Sequence, residues 1–245
     1  ECPEATKTET PRTIMVVGGG AAGMRAALTA SERGHVVHLY ESSPQLGGQL
    51  YLAAAPPGRG EFAELARDLA TQVALSPIHV HLKTVVDEAL IETQHPDQVI
   101  LATGAQPITP PIPGVELGHV VQSWDVLLNR VATGRRVVVI GGGPTGLELA
   151  LHLAEHGCKT TVVEMLPKIG SGLEAMTKKI ILERLKKHSV TILTGTRLSK
   201  IDQTGVTVAN KDHPARFINA DKVVIAIGTH PDTRLYDKIK SLGYT

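Results

Sequence analysis

Gly18, Gly20, Gly23 and, further on, Glu41 are residues whose types and spacing could do chemistry in this chain, and the chemistry would be anion capture followed by sugar recognition. The elements that must position them can be read around them. The run IMVV at 14–17 is apolar without alternation, as in a strand buried on both faces, and the glycines follow it directly. Residues 21–30 read as a helix, and VVHLY at 36–40 as a second strand ending at Glu41. Gly18 allows the turn, Gly20 lets backbone approach a pyrophosphate, and Gly23 lets the helix pack close to the strand. The helix N-terminus then offers unpaired N–H groups and a positive dipole end. Glu41 lies 41 − 18 = 23 residues past the first glycine, close to the ~20 expected of a carboxylate that accepts from ribose hydroxyls. The stretch reads as a dinucleotide site.

A single glycine fingerprint is a short pattern, but here it recurs. RVVVIGGGPTG at 136–146 contains Gly141, Gly143 and Gly146, is followed by a helix, and leads to TTVVE ending at Glu164. The offset is 141 − 18 = 123 for the glycines and 164 − 41 = 123 for the acids. Each copy closes with a matching strand and turn, VILATG at 99–104 and VVIAIG at 223–228. Two sites on one plan indicate a repeat of domains rather than a solenoid.

Composition narrows the class. A net charge of +1 and 3% aromatic residues leave neither a basic footprint nor stacking platforms for nucleic acid. No apolar run approaches the ~20 residues of a membrane span, and the polar first ten residues lack a secretory core, so a soluble, cytoplasmic protein is expected. Cys2 and Cys158 are far apart and belong to no Cys-x-x-Cys pair. A start at Glu1 without methionine reads as a piece of something longer.

Residues 1–12 read as a polar linker from an upstream region. Past Glu41 comes the Gly47-Gly48 pair, either a loop hinge or a backbone surface pressed against a cofactor; its place after a fingerprint favours the second. Residues 53–60 read as a turn, 61–74 as an amphipathic helix, 78–82 as an alternating strand and 84–86 as a turn whose backbone could pass an adenine. Four prolines within 106–114 mark the boundary between halves. Residues 120–130 read as a short helix in which Trp124 packs at the junction, and 174–187 as a helix with Ile180, Ile181 and Leu185 on its apolar side. Strands are expected at 190–193, 205–209 and 215–218, and residues from Pro231 turn back toward the first half.

His152, Glu155 and His156 fit the inverted zinc-protease pattern, but their helix is already claimed by the second fingerprint, and the match reads as coincidence. His35, His38, His79 and His81 read as scattered surface or edge residues. No metal is expected in the chain. No Gly-x-Ser-x-Gly elbow supports a hydrolase. Glu148 has two readings of equal standing: a catalytic residue where a nicotinamide could lie, and a helix-start acid favoured by the macrodipole. Cys158, between helix and strand, reads as a small buried filler.

Together the two fingerprints, the Gly47-Gly48-Gln49 turn, the 102–104 turn and the 226–228 turn resemble the flavoproteins with two dinucleotide-binding domains of glutathione-reductase-like architecture, over essentially residues 12–245. The segment LGGQLYLAAAPPGRGEF at 46–62 resembles the C-terminal half of the NADH:flavin oxidoreductases, such as the 2,4-dienoyl-CoA reductases and trimethylamine dehydrogenases. The resemblance implies an α/β fold of two Rossmann-like domains, the second inserted in the first. It implies an FAD-binding domain at 13–110, an NAD(P)-binding domain at 111–228 and an incomplete return segment at 229–245. By resemblance Gly18, Gly20, Ala21, Ala22, Gly23, Glu41, Ser42, Gly47, Gly48, Gln49, Leu50, Val86, Ala102, Thr103 and Gly104 hold FAD. Gly141, Gly143, Pro144, Thr145, Gly146, Glu164 and Gly228 hold NAD(H), with Glu148 beside the nicotinamide. In such relatives a barrel with FMN and an iron–sulfur cluster precedes this module, so an upstream barrel or partner subunit is the implied electron acceptor; the barrel and its cluster cysteines are not in this sequence. The chain also stops before the Gly-Asp strand that in relatives contacts the flavin's ribityl chain, leaving one wall of that pocket unaccounted for. The resemblance leaves two functions: an oxidoreductase module passing electrons from NADH through FAD, and a non-catalytic module holding ADP or FAD for structural reasons.

Overall fold

A computed structural model describes residues 6–211 and 213–241; Cys2 and the end of the return segment lie outside them. The described chain forms two compact units, residues 6–106 with 231–241, and residues 107–230. It is an α/β protein of two Rossmann-like units, the second inserted in the first.

The first unit runs β1 (Thr13–Val17), α1 (Ala21–Glu32), β2 (Val36–Tyr40), α2 (Leu50–Ala54), α3 (Glu61–Ala74), β3 (His79–His81), α4 (Glu88–Gln94) and β4 (Gln98–Leu101). Its strands are all parallel, in the order β3-β2-β1-β4. The unalternating run of β1 has a direct cause: Ile14 and Val16 enter one core with Met24, Leu28, Leu39, Leu69 and Val73, while Met15 and Val17 enter a second with Tyr40, Val86 and Ile91. After the excursion through the second unit, Ile239 of the returning helix joins that second core.

The chain passes between units through β5 (Ala105–Pro107). The second unit continues with β6 (Val120–Gln122), α5 (Ser123–Leu127), β7 (Arg136–Ile140), α6 (Pro144–Glu155), β8 (Lys159–Val163), α7 (Ala175–Lys187) and β9 (Thr191–Leu193). It then adds β10 (Thr196–Asp202), β11 (Gly205–Asn210), β12 (His213–Asn219) and β13 (Lys222–Ile225) before β14 (Thr229–Pro231) and α8 (Arg234–Ser241) lead back. Strands β6-β13-β7-β8-β9 form a parallel sheet, and β10-β11-β12 an antiparallel meander. Val138, Ile140, Val223 and Ile225 pack against Leu198, Ile201, Val206 and Val208 of the meander. Val137 and Val139 are buried too and, by the pleat, face the other way.

Several local readings need correction. Part of the 53–60 turn is the end of the short helix α2. Residues 120–130 divide into a strand and a five-residue helix, because Val120 and Val121 pair with Val223 and Val224 of β13 before the chain coils. Ile180 is 50% exposed whereas Ile181 is buried, since neighbours about 100° apart on a helix do not share its inner stripe. Cys158 is half-buried rather than enclosed, its Sγ donating to the Gly134 carbonyl at 3.4 Å. Helix α4 and strand β10 have no counterpart in the sequence reading.

Candidate functional sites

In each unit the same backbone machinery stands at the C-terminal end of the sheet. The Gly18 N–H donates to the Tyr40 carbonyl at 2.8 Å, and the Gly141 N–H to the Val163 carbonyl at 2.9 Å. Both glycines have φ of 110°, in the left-handed half of conformational space that side-chain-bearing residues avoid. Added Cβ atoms would lie 2.2 Å from the Ala102 oxygen and 2.3 Å from the Ala226 oxygen. One helical turn on, a Cβ at Gly23 would meet the Gly18 oxygen at 1.7 Å, and one at Gly146 the Gly141 oxygen at 2.0 Å. These four glycines are required by the protein's own contacts.

Gly20 and Gly143 are different. They are the N-caps of α1 and α6, no side chain caps either helix, and a Cβ at either would meet nothing within 4 Å. The space beside each cap is therefore clear of protein, and the first-turn N–H groups, uncapped by any side chain, stand at the positive end of the macrodipole, which is the arrangement that accepts a phosphate. Pro144 occupies the first helical position, where its missing N–H costs nothing. Ala22, Pro144 and Thr145 are exposed beside these openings.

The acids are held alike. Glu41 accepts from the Gly19 N–H at 2.7 Å and from the Ser43 N–H at 2.7 Å, one on each oxygen. Glu164 accepts from the Gly142 N–H at 2.6 Å and from the Leu166 N–H at 2.7 Å. Two backbone donors use about half of the acceptor positions of Glu164, and the Ser42 hydroxyl adds a third donor on Glu41 at 3.2 Å, so each acid keeps lone-pair capacity for a sugar hydroxyl. Burial opposes the charge of Glu41, but the N–H groups of Ser43 and Gly19 and the Ser42 hydroxyl outweigh it and hold its carboxyl below the ordinary range. Glu164 is only 8% exposed.

Past the acid the two sites diverge. In the first, Gly47 (φ 122°) donates to the Gly19 carbonyl at 2.8 Å, and a Cβ on Gly48 (φ 50°) would lie 3.0 Å from the Gly20 Cα. Gln49 reaches the Ala105 carbonyl with its Nε2 at 3.4 Å, so residues 47–49 lie against both the glycine turn and the segment after β4. In the second, Gly170 donates to the Gly142 carbonyl at 2.8 Å, at the same 170 − 47 = 123 offset, and the next glycine, Gly172 (φ 90°), stands two residues on, where a Cβ would lie 3.7 Å from Pro144.

Other residues singled out by sequence are placed less simply. Val86 is buried in the apolar core, and Leu50 and Ala21 pack against the other core, so any role at a ligand belongs to their backbone. The Thr103 hydroxyl donates to the Asp232 carbonyl at 2.8 Å. Asp232 was missed by sequence reasoning: its N–H donates to the Gly104 carbonyl at 3.0 Å and its carboxylate accepts from Gln106 and Arg234. The Arg234 guanidinium holds that carboxyl far below the usual range. A lone Asp in a polar return segment carries no periodic signal. Glu148 is partly exposed on α6, and Gly228, with φ of 111°, accepts the Ile108 N–H at 3.0 Å. Among the described residues no group of three or more His, Cys, Asp and Glu side chains is placed to hold a metal ion, and no helix is long and apolar enough to cross a membrane.

Fold and sites thus define an α/β protein with two dinucleotide-binding units built on one plan. Residues 12–244 match the model of the pyridine nucleotide-disulphide oxidoreductase family, and the chain belongs to that family. It is 40% identical over 232 residues to an NADH oxidase of Thermoanaerobacter brockii, covering 93% of this chain and 36% of that protein. It is 37% identical to a bilirubin reductase of Mediterraneibacter gnavus, over 93% of this chain and 35% of the relative. A solved 2-naphthoyl-CoA reductase complex superposes with a TM-score of 0.91 at 28% identity, over 96% of this chain and 36% of the other. The chain therefore spans about a third of the length of each of these three relatives.

Proposed function

We propose that the chain is an FAD- and NAD(H)-binding oxidoreductase module, with FAD on the Gly18–Gly23 and Glu41 site and the nicotinamide cofactor on the Gly141–Gly146 and Glu164 site. The observation that carries it is the open pair Gly20 and Gly143, where glycine is required by nothing inside the protein. Assignment of FAD to the first site is supported by the Gly47-Gly48-Gln49 surface, which offers backbone to a second phosphate and a polyol and lies against both Gly20 and the segment after β4, where the second unit has Gly170-Ser171-Gly172 at the same offset, with Gly172 beside Pro144. Names among the relatives, an NADH oxidase and a bilirubin reductase, agree with redox chemistry of this kind.

When bound, the two cofactors supply hydride transfer from reduced nicotinamide to flavin. The chain's own work is binding and orientation. Helix α1 and α6 N-termini take the pyrophosphates, Glu41 and Glu164 accept from the adenosine riboses, and Glu148 lies along the nicotinamide site. The acceptor that takes the electrons onward is proposed to lie outside this chain, in an FMN and iron–sulfur barrel or partner subunit, because the relatives are about three times as long. Purified protein should show flavin absorbance in the visible range, bleached anaerobically by NADH. Flavin that is present but unresponsive to NADH would instead favour a structural role for the first site.

A further inference from the structure

Strands β2 and β3 run parallel in a register that sets His38 beside His79 and Tyr40 beside His81. Side chains alternate across a sheet, so these four rings share one face, while Val37, Leu39 and Ile78 enter the core on the other. Three of the histidines that look scattered in the sequence, His38, His79 and His81, therefore form a cluster, while His35 accepts from the Arg12 N–H elsewhere. Tyr40 and His81 stack with centroids 4.3 Å apart at 11°, and His38 and His79 lie 4.8 Å apart at 27°.

The contact between His38 and His81 is of another kind. Their centroids are 5.3 Å apart at 12°, and His38 Nδ1 lies 3.0 Å from His81 Nε2. The centroid distance equals the nitrogen contact plus the two ring radii, so the rings meet tip to tip in nearly one plane, nitrogen facing nitrogen. One ring donates its N–H and the other accepts with a lone pair. Both side chains are partly exposed, His81 on the edge strand β3 and His38 on its neighbour β2, so solvent ions reach them.

Two imidazole nitrogens this close are near the spacing of neighbouring ligands on one ion: bonds of about 2.0–2.1 Å meeting at a tetrahedral angle separate the nitrogens by about 3.3 Å. We propose that His38 Nδ1 and His81 Nε2 form a two-imidazole site for a borderline divalent transition-metal ion, with water completing the coordination. The ion replaces the shared proton, which moves to the outer nitrogen of the donor ring. Both facing nitrogens then offer lone pairs, and the pair loses no proton overall. Chelation opens the nitrogens by about 0.3 Å and swings each lone pair about 35° off the line that joins them, by rotation about the second side-chain torsion, which is broad for histidine. His79 buttresses the His38 ring and is not a third ligand, in keeping with the lack of any three-residue cluster among the described residues. Affinity should follow the Irving–Williams order, with Cu2+ above Zn2+.

The His152–His156 pair on α6 provides an internal contrast. His156 turns its Nδ1 to the His152 carbonyl at 2.7 Å, and His152 Nδ1 is buried without a partner, so the two rings do not aim nitrogens at a common point.

The test titrates Cu2+ into the untagged full chain in a Cys2→Ser, Cys158→Ser background, which removes competing thiols. One ion per chain is expected, with electron paramagnetic resonance showing coupling to two nitrogens. His38→Gln and His81→Gln should each weaken binding at least about tenfold, while a His152→Gln, His156→Gln double variant binds as the parent does. Because the His variants could shift folding, a second readout uses the parent chain: Zn2+ should raise its Tm by mass action and leave that of His38→Gln unchanged. Absence of saturable Cu2+ binding to the parent, or binding unchanged when both His38 and His81 are replaced, overturns the site.

Discussion

At the scale of single residues, the fingerprint glycines separate into two groups that sequence spacing cannot tell apart. Gly23 faces the Gly18 oxygen so closely that even a methyl group must displace backbone, whereas Gly20 faces open space. Gly23→Ala should therefore destabilise the fold by about 1–3 kcal/mol, as overpacking does. Gly20→Val should leave Tm within a few degrees of the parent and lose the flavin. Thermal unfolding and flavin content, measured on the same preparations, check both; full flavin in Gly20→Val would reject the assigned phosphate position. Cys158 gives a contrasting expectation. Its thiol hydrogen-bonds with the Gly134 carbonyl and the Thr133 hydroxyl, and no second cysteine lies among the described residues. Cys158→Ser should leave NADH-driven flavin reduction nearly unchanged, and stopped-flow absorbance would reveal any loss.

At the scale of elements, legibility followed the amount of burial each segment carries. Strands β1 and β7 and helix α3 were readable because both faces of the strands and a full stripe of the helix are apolar. Helix α4 buries only Ile91, so it has no stripe to read, and its signal is local: Asp87 caps it by accepting the Leu90 N–H at 2.9 Å. Strand β10 alternates through buried Thr196 and Leu198, then loses phase at a bulge between Leu198 and Lys200, which returns Ile201 to the core out of step. Tertiary ties such as Asp221 were equally invisible. Its carboxylate accepts from the N–H groups of Arg135 and Arg136 and from the Arg136 guanidinium, joining the entry of β7 to that of β13. That guanidinium, first among the causes, lowers the Asp221 pKa from 3.8 to about 2. A depressed carboxyl contributes stability above its unfolded pKa and loses it as pH falls through the folded one. Asp221→Asn should consequently lower Tm at neutral pH and flatten its decline between pH 4 and pH 2, followed by circular dichroism. An unchanged acid profile would show the clasp to be energetically idle.

At the scale of the molecule, the duplicated plan places two equivalent acids in separate compact units, and their lesions should be separable. The first acid, Glu41, is flanked by Ser42 and Ser43 and by the Gly47-Gly48 surface; the second, Glu164, is followed by exposed Met165 and Leu166, with Lys168 the first cation downstream and no arginine before Arg184. Losing hydrogen bonds to a charged acceptor costs about 1.5–3 kcal/mol, or roughly 10- to 150-fold in affinity. Glu41→Ala should thus lower flavin retention by that factor. Glu164→Ala should keep the flavin spectrum intact and raise the KM for NADH. Glu164 also bears on cofactor choice. A 2′-phosphate would bring like charges within a few ångströms, at about 1 kcal/mol in a water-like dielectric and more where the carboxylate is desolvated. At 8% exposure Glu164 stands nearer the second case. The expected preference for NADH over NADPH is roughly ten- to a hundredfold, and Glu164→Ala should narrow it. Lys168, exposed four residues on, is the group that could work against this by reaching the phosphate. Steady-state reduction with both cofactors, in the parent, Glu164→Ala and Lys168→Ala, decides the matter. Equal efficiency in the parent would reject Glu164 as the selecting group, and a preference that widens in Lys168→Ala would show the lysine had been masking it.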